Sequence, residues 1–223
     1  MSGALGGQIR RELLLLARSR TDVLNPLVFL FLTVLLFALA LDGRPENLRA
    51  HAAGVLWALV LLTNMLALDG MFRRDYDDGS LEQMFLITQS PVAPVLGKLL
   101  VQWLATGALI TLCSPLLGLA LNLPAKVLPM LFLAFLAGSP AVSFIGAIGA
   151  SVTVGIRRSG AILGLLVLPM LIPVLIFGVS VVNRALDGDP PGPAIYWLAA
   201  LSVASIMAAP FAVSAGLKVS LEQ

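Results

Sequence analysis

Charge is scarce in this chain. Asp, Glu, Lys and Arg make up 12% of its 223 residues, while 59% are hydrophobic. A soluble domain carries roughly a quarter charged residues, so this composition argues against one. One cysteine, Cys113, excludes an internal disulfide, and no zinc or haem-attachment spacing surrounds it. It reads as a small apolar filler. One histidine, His51, leaves little for an imidazole-based site. No G-x-x-x-x-G-K-[ST] occurs: Gly97-Lys98 is followed by Leu99, and position 92 is Val. Any nucleotide hydrolysis therefore belongs to another chain.

What the sequence has in quantity is apolar length. Six runs lack Asp, Glu, Lys, Arg and His: Val23–Leu41, Ala52–Leu68, Leu99–Ala125, Val127–Ile156, Ser159–Asn183 and Pro190–Leu217. About 17–25 such residues cross the hydrocarbon core as one helix. Continuous runs without two-residue alternation exclude a β-barrel. Mean hydropathy is +0.98. The expectation is an all-α integral membrane protein with six transmembrane helices in a single domain over residues 1–223. Arg10, Arg11, Arg18 and Arg20 before the first run imitate a signal peptide, but 19 apolar residues exceed the usual signal core. That run is read as a span.

The absence of ionisable groups inside the runs weakens an ion-coupled carrier, whose proton or ion sites usually need them, although backbone carbonyls at a broken helix can bind sodium. An intramembrane hydrolase would need a nucleophile and a base. Ser151, in Gly149-Ala150-Ser151-Val152, reads instead as helix-packing glue. His51 lies at the outer end of the second run and reads as an interfacial histidine rather than a haem ligand. The chain is expected to be non-catalytic, with no metal site.

Lysines and arginines set orientation. The N-terminal segment, the Asp69–Lys98 loop, Arg157-Arg158 and Lys218 hold ten on one side. Arg44, Arg49, Lys126 and Arg184 make four on the other. Both termini and the Asp69–Lys98 loop are thus expected in the cytoplasm. The opposite side has only short connections, DGRPENLRAH, a turn near Asn122–Lys126, and NRALDGDPPGP. Before Asp22, residues Leu5, Ile9, Leu13 and Leu16 share one face, which predicts a helix lying along the interface.

The Asp69–Lys98 loop holds eight of the chain's 26 formal charges. The second span is expected to continue through Phe72 and Arg73. Asp77-Asp78-Gly79 breaks it, with Gly79 suited to a left-handed cap. Ser80-Leu81-Glu82-Gln83 fits a capping box, with Ser80 capping the Gln83 N–H. A short helix over Leu81–Ile87 follows, presenting Leu81, Met84, Phe85 and Leu86. Ser90-Pro91 fits the next N-cap and first-turn proline, and Lys98 can snorkel to the headgroups. A transverse helix of this kind suits docking into a soluble ATPase; it would equally suit an ordinary interfacial loop. In the later spans Gly138-Ser139-Pro140, Pro169, Pro173 and Pro210 interrupt the apolar pattern, as hinges or as static kinks.

Phe72–Gln83, FRRDYDDGSLEQ, resembles the signature loop of the CcmB family, permease subunits of the cytochrome c maturation ABC transporter. The resemblance extends through Asn25-Pro26-Leu27, Gly54-x-Leu56-Trp57, Ser114-Pro115-Leu116, Gly138-Ser139-Pro140, Leu168-Pro169-x-x-Ile172-Pro173-x-Leu175-Ile176-Phe177 and Pro210-Phe211-Ala212. It implies an exporter-type permease fold in a bacterial inner membrane. It also implies a cytoplasmic ATPase partner resembling CcmA, haem-handling membrane partners resembling CcmC and CcmD, and a periplasmic haem chaperone resembling CcmE. A second copy of the chain is compatible with that arrangement. Haem would be a transported or nearby ligand, and ATP would bind the partner. Coupling to the ATPase is then expected at Gly79, Ser80, Leu81, Glu82 and Gln83, supported by Asp75, Asp78 and Phe85, with Leu81→Asp detaching the ATPase. The rival readings are a non-transporting scaffold that anchors an ATPase and, more remotely, an ion-coupled carrier.

Overall fold

The structure is a computed structural model that describes residues 7, 12, 20–41, 44–87, 91–156 and 159–221. The described residues form helices and turns only. In chain order these are α1 (Arg20–Ala40), α2 (Pro45–Asp69), α3 (Arg73–Asp77), α4 (Ser80–Ile87), α5 (Val92–Trp103), a π-helical segment (Leu104–Ala108), α6 (Leu109–Ala120), a 3-10 turn (Ala125–Val127), α7 (Leu128–Thr153), α8 (Ser159–Asp187) and α9 (Ala194–Leu221). Six helical stretches are long and apolar enough to cross a membrane, with α5, the π segment and α6 acting as one. The chain is a multi-pass membrane protein. Alternating passes put α3 and α4, the α7–α8 connection and the end of α9 at one end of the bundle, called here the loop end.

Helix α7 is the hub. It packs most extensively on α9, then α8, and also meets α2 and α6. Its small residues explain this. Gly138, Gly146 and Gly149 each face a bulky side chain of a neighbouring helix, where a Cβ would collide. In lipid, where helices gain little by hiding apolar surface from one another, close backbone approach and packing hold the bundle together. Helix α1 lies at the periphery, with Leu24, Val28, Leu32, Leu35, Leu36 and Leu39 turned outward. That is the expected face of a lipid-exposed helix.

The largest buried side chain is Trp57 of α2. Its ring tilts against Phe135 with centroids 4.6 Å apart. Gly138 of α7 and Gly178 of α8 form the slot around it. A Cβ on Gly138 would lie 2.6 Å from the indole, and one on Gly178 would overlap the ring. Gly138 therefore has a packing reason to be glycine, whether or not the helix bends there.

Several boundaries differ from the sequence reading. Helix α2 starts at Pro45, so most of DGRPENLRAH is its first two turns, with Pro45 at the position proline favours and Glu46 in the first turn. It ends at Asp69, and a turn over Gly70–Phe72 separates it from α3. The expected continuous helix through Phe72 and Arg73 does not form. The prolines lie inside single helices, Pro140 in α7, Pro169 and Pro173 in α8, and Pro210 in α9. A π-helical stretch falls at Leu104–Ala108 in the third span. The expected interfacial helix before Asp22 lies outside the described residues, apart from Gly7, Glu12 and the start of α1 at Arg20 and Thr21. So do Arg157, Arg158 and Ser90.

A neighbouring helix bonds the backbone around Pro140. Proline cannot donate, and its ring crowds the carbonyl four residues back, so the backbone separates locally. One position on from the pair that proline breaks, Ser202 of α9 bonds both members of the next pair. Its hydroxyl donates to Ala137 O at 2.5 Å and accepts from the Ala141 N–H at 3.1 Å. Both backbone groups thus have a side-chain partner from a second helix at membrane depth, where unsatisfied polar groups are costly.

Candidate functional site at the charged loop

The loop end is built around α3 and α4. Asp77 closes α3, and Gly79 takes φ +75°, the left-handed conformation that costs glycine least. The expected capping box does not form. The Gln83 N–H bonds the Gly79 carbonyl at 3.3 Å, and the Ser80 hydroxyl turns back to donate to Asp75 O at 3.3 Å. Asp78 does the capping instead: its Oδ1 accepts from the Ser80 N–H at 2.9 Å, an Asx turn that starts α4 at Ser80 rather than Leu81. The sequence allowed either residue to cap. With Gly79 between them in left-handed geometry, the aspartate is the one that reaches.

Three attachments fasten this short unit to the spans. The Arg73 guanidinium donates to Ile156 O at 2.8 Å and to Val154 O at 3.3 Å, just past the end of α7. These are carbonyls left over at a helix C-terminus, where a cation is favoured. Arg73 also pairs with Asp77 at 3.5 Å along α3. Lys98 of α5 sits between two carboxylates, 2.5 Å from Asp75 Oδ2 and 3.3 Å from Glu12 Oε2. All three side chains are largely buried. Lys98 thus does not snorkel outward; it ties the third span to α3 and to the N-terminal segment. Finally, Leu81 is 2% exposed and shares a small recess with Phe72, Met84, Val95 and Leu217. That recess joins α4 to the third and sixth spans.

The residues expected to contact a partner therefore divide. Asp75 and Leu81 are buried within the chain, and Ser80 and Phe85 are half-buried. Asp78, Glu82 and Gln83 are exposed, as is Leu86 at 86%. The outward face of the loop is thus acidic and polar around one prominent leucine. Arg73, Glu12 and Lys98 were missed as members of the site. A loop arginine beside a helix end and a lysine just inside a span were the available signals, but each has a common solvent-facing reading.

Above the loop the interior is polar without being charged. Trp103 Nε1 donates to Ser139 Oγ at 3.1 Å, and Thr111 Oγ1 to the same oxygen at 3.2 Å. Asn64 Nδ2 donates to Ser143 Oγ at 3.1 Å. These contacts join α2, the third span around its π segment, and α7. Gly107, inside the π segment, lies where a Cβ would press on Trp103 and on Ser143. Ser139 and Gly138, first noted as elements of a break, thus serve packing and hydrogen bonding. Ser151 is buried, donates to Ile148 O, and its own carbonyl accepts from Ser220 at 3.0 Å. His51 is exposed and bonds within α2, to Asn47 O at 2.9 Å. Among the described residues no cluster of His, Cys, Asp and Glu is arranged to hold a metal ion.

Comparison with known proteins agrees over nearly the whole length. The chain is 41% identical over 221 residues to "Heme exporter protein B" of Pseudomonas aeruginosa, covering 99% of each chain. It is 41% identical over 214 residues to the protein of that name from Haemophilus influenzae, covering 96% of this chain and 97% of the relative. The Escherichia coli K12 protein of the same name is 36% identical over 213 residues, with 96% and 97% covered. The family model described as "CcmB protein" matches residues 5–220. With that match and these identities, the chain belongs to the CcmB family.

Proposed function

We propose that this chain is the permease subunit of an ABC-type assembly for cytochrome c biogenesis. It couples ATP hydrolysis in a separate cytoplasmic subunit to haem export or to release of a haem-loaded periplasmic chaperone. The observation that carries this reading is the fastening of α3 and α4 to the fourth span through Arg73, the third through Lys98 and Asp75, and the sixth through Leu81. A loop held at three points moves as a body, so a push on its outward face reaches three spans together. The names of the relatives supply haem as the cargo. The ten-to-four lysine and arginine asymmetry supports a cytoplasmic loop, and the bacterial relatives support a bacterial inner membrane.

In this mechanism the ATPase meets Glu82, Gln83, Asp78 and Leu86, while Asp75, Leu81 and Gly79 maintain the shape of the loop. A partner shifts a two-state protein only by binding its states unequally. The ATPase must therefore grip α4 differently with and without ATP. Lys98, at the loop end of the third span, is the ionisable span residue that takes part in the movement. Partner subunits handle haem, and this chain contributes a path or a moving wall.

Leu81→Asp alone would first disrupt the loop's own packing. Glu82→Lys and Leu86→Asp are the cleaner probes, since both side chains are exposed. In the assembly purified with its ATPase, each is expected to leave the thermal melt of the membrane subunit unchanged and to lower co-purification or ATP turnover. Full co-purification with full turnover in both variants would reject the coupling role and favour a scaffold.

A further inference from the structure

An apolar groove of about 520 Å³ runs between the third and fourth spans, at the end of the bundle opposite the loop. Its walls are Pro115 of α6, Ala125 of the 3-10 turn, and Leu128, Pro129, Phe132 and Leu133 of α7. None of these side chains is polar. Gly118 brings α6 against α7 beside the groove, where a Cβ would lie 2.8 Å from Leu131 and 2.9 Å from Leu128. Next to that contact, Pro115, Ala125 and Pro129 are too short to fill the space between the helices. Leu116 of α6 and Leu133 and Leu136 of α7 are exposed around it, so the groove opens toward lipid. Nothing in the coupling mechanism uses it.

Charge stands at the mouth. Lys126 lies in the 3-10 turn between the lining residues Ala125 and Leu128. It is exposed and has neither an ion pair nor a hydrogen bond among the described residues. The connection LNLPAKV over residues 121–127 holds no acid that could neutralise it. The N-terminus of α7 follows and adds partial positive charge of the same sign. A lysine stem can lie along apolar surface and carry its ammonium to headgroup level. From Ala125 to Leu133 the groove follows the chain inward for about 12 Å, at roughly 1.5 Å per residue. Its volume over that length leaves a section of about 40 Å², half that of a helix about 10 Å across. The slot is therefore narrow for a partner's helix. A soluble anion gains nothing from its apolar walls, and a zwitterionic lipid leaves the lysine charge uncompensated.

We infer that this groove holds one acyl chain of an anionic phospholipid whose phosphate pairs with Lys126. The chain lies between Pro115 and the Leu128–Leu133 face, and the headgroup sits over the 3-10 turn. The third and fourth spans thus share one lipid at the end remote from the loop.

Photolabelling tests the site. The full-length chain, in phosphatidylcholine vesicles, would receive a trace of phosphatidylglycerol or phosphatidylethanolamine carrying a diazirine on one acyl chain. Peptide mass spectrometry would locate the label after irradiation. Residues 125–133 are expected to be labelled about fivefold more by phosphatidylglycerol, the factor that one lysine near an anionic headgroup supplies. Lys126→Gln is expected to bring the two lipids level with an unchanged melt, and Lys126→Arg to keep the preference. Ala125→Phe, at an exposed position in the mouth, is expected to lower labelling by both lipids. Equal labelling of the wild type by both lipids would overturn the site. So would an undiminished preference in Lys126→Gln, or label spread evenly over Leu32, Leu133 and Leu165, which all face outward. Loss of the label when the purified assembly replaces the single chain would also overturn it, and would assign the groove to a partner's helix.

Discussion

Two polar regions of this bundle solve the same problem differently. At membrane depth, Trp103, Thr111, Ser139, Asn64 and Ser143 join three spans through neutral hydroxyl, indole and amide groups. At the loop end, Glu12, Lys98 and Asp75 join the third span to the loop through full charges. The division follows the dielectric. A charge in hydrocarbon is expensive, whereas a hydroxyl bonded to its neighbour costs little. Near the headgroups, ions remain affordable if paired. The consequence is a gradient of mechanical strength. The interior contacts are individually weak and easily exchanged, while the loop end is held by contacts that are costly to break singly.

The largest test of this contrast is Lys98→Met. It leaves two carboxylates together and partly buried, so a loss of about 3–5 kcal/mol is expected, as when one partner of a buried pair is removed. Unfolding of the purified protein in denaturing detergent would read it. The double variant Lys98→Met with Asp75→Asn should recover part of the loss. If Lys98→Met costs no more than an exposed lysine change, the loop is not fastened there. Gly178→Ala tests packing without polarity. The new methyl meets the Trp57 ring, which has no room to move, and overpacking of this kind costs about 1–3 kcal/mol. Trp57→Leu should relieve the clash when combined with it, and a thermal melt would show whether it does. The smallest effect is expected from Ser139→Ala. Two donors lose one shared acceptor, and interhelical hydrogen bonds in membranes average about 0.6 kcal/mol. A loss as large as that for Lys98→Met would abolish the proposed gradient.

How much of this was legible in the sequence depends on the range of the forces involved. The six spans were, because apolar length is a local property and the bilayer sets its scale. The break at Gly79 was also legible, since it needs only one residue's backbone preference. Residues whose role depends on a distant helix were not. Pro140 gives no hint that Ser202, 62 positions later, will bridge the Ala137 carbonyl and the Ala141 amide beside it. Lys98 looked like a snorkelling lysine because Glu12 lies 86 positions away in sequence. Ser80 looked like a cap because its spacing to Gln83 was right, while Asp78 had the same chemistry two residues from the backbone it bonds. Leu81 looked like a partner contact because a short amphipathic helix does not declare which of its apolar residues the chain itself will cover. Leu86 is the residue left outside.

The central claim is that the outward face of α4 passes ATP-driven movement to the spans. The most direct measurement is ATP-dependent release of haem-loaded chaperone from the reconstituted assembly carrying Glu82→Lys or Leu86→Asp. Subunit composition would be checked in the same sample. Substitutions at exposed positions such as these usually change stability by less than about 0.5 kcal/mol, so the assembly should remain complete. Loss of release from a complete assembly is the predicted result. Release at the wild-type rate from both variants would contradict the account and leave the loop a connector.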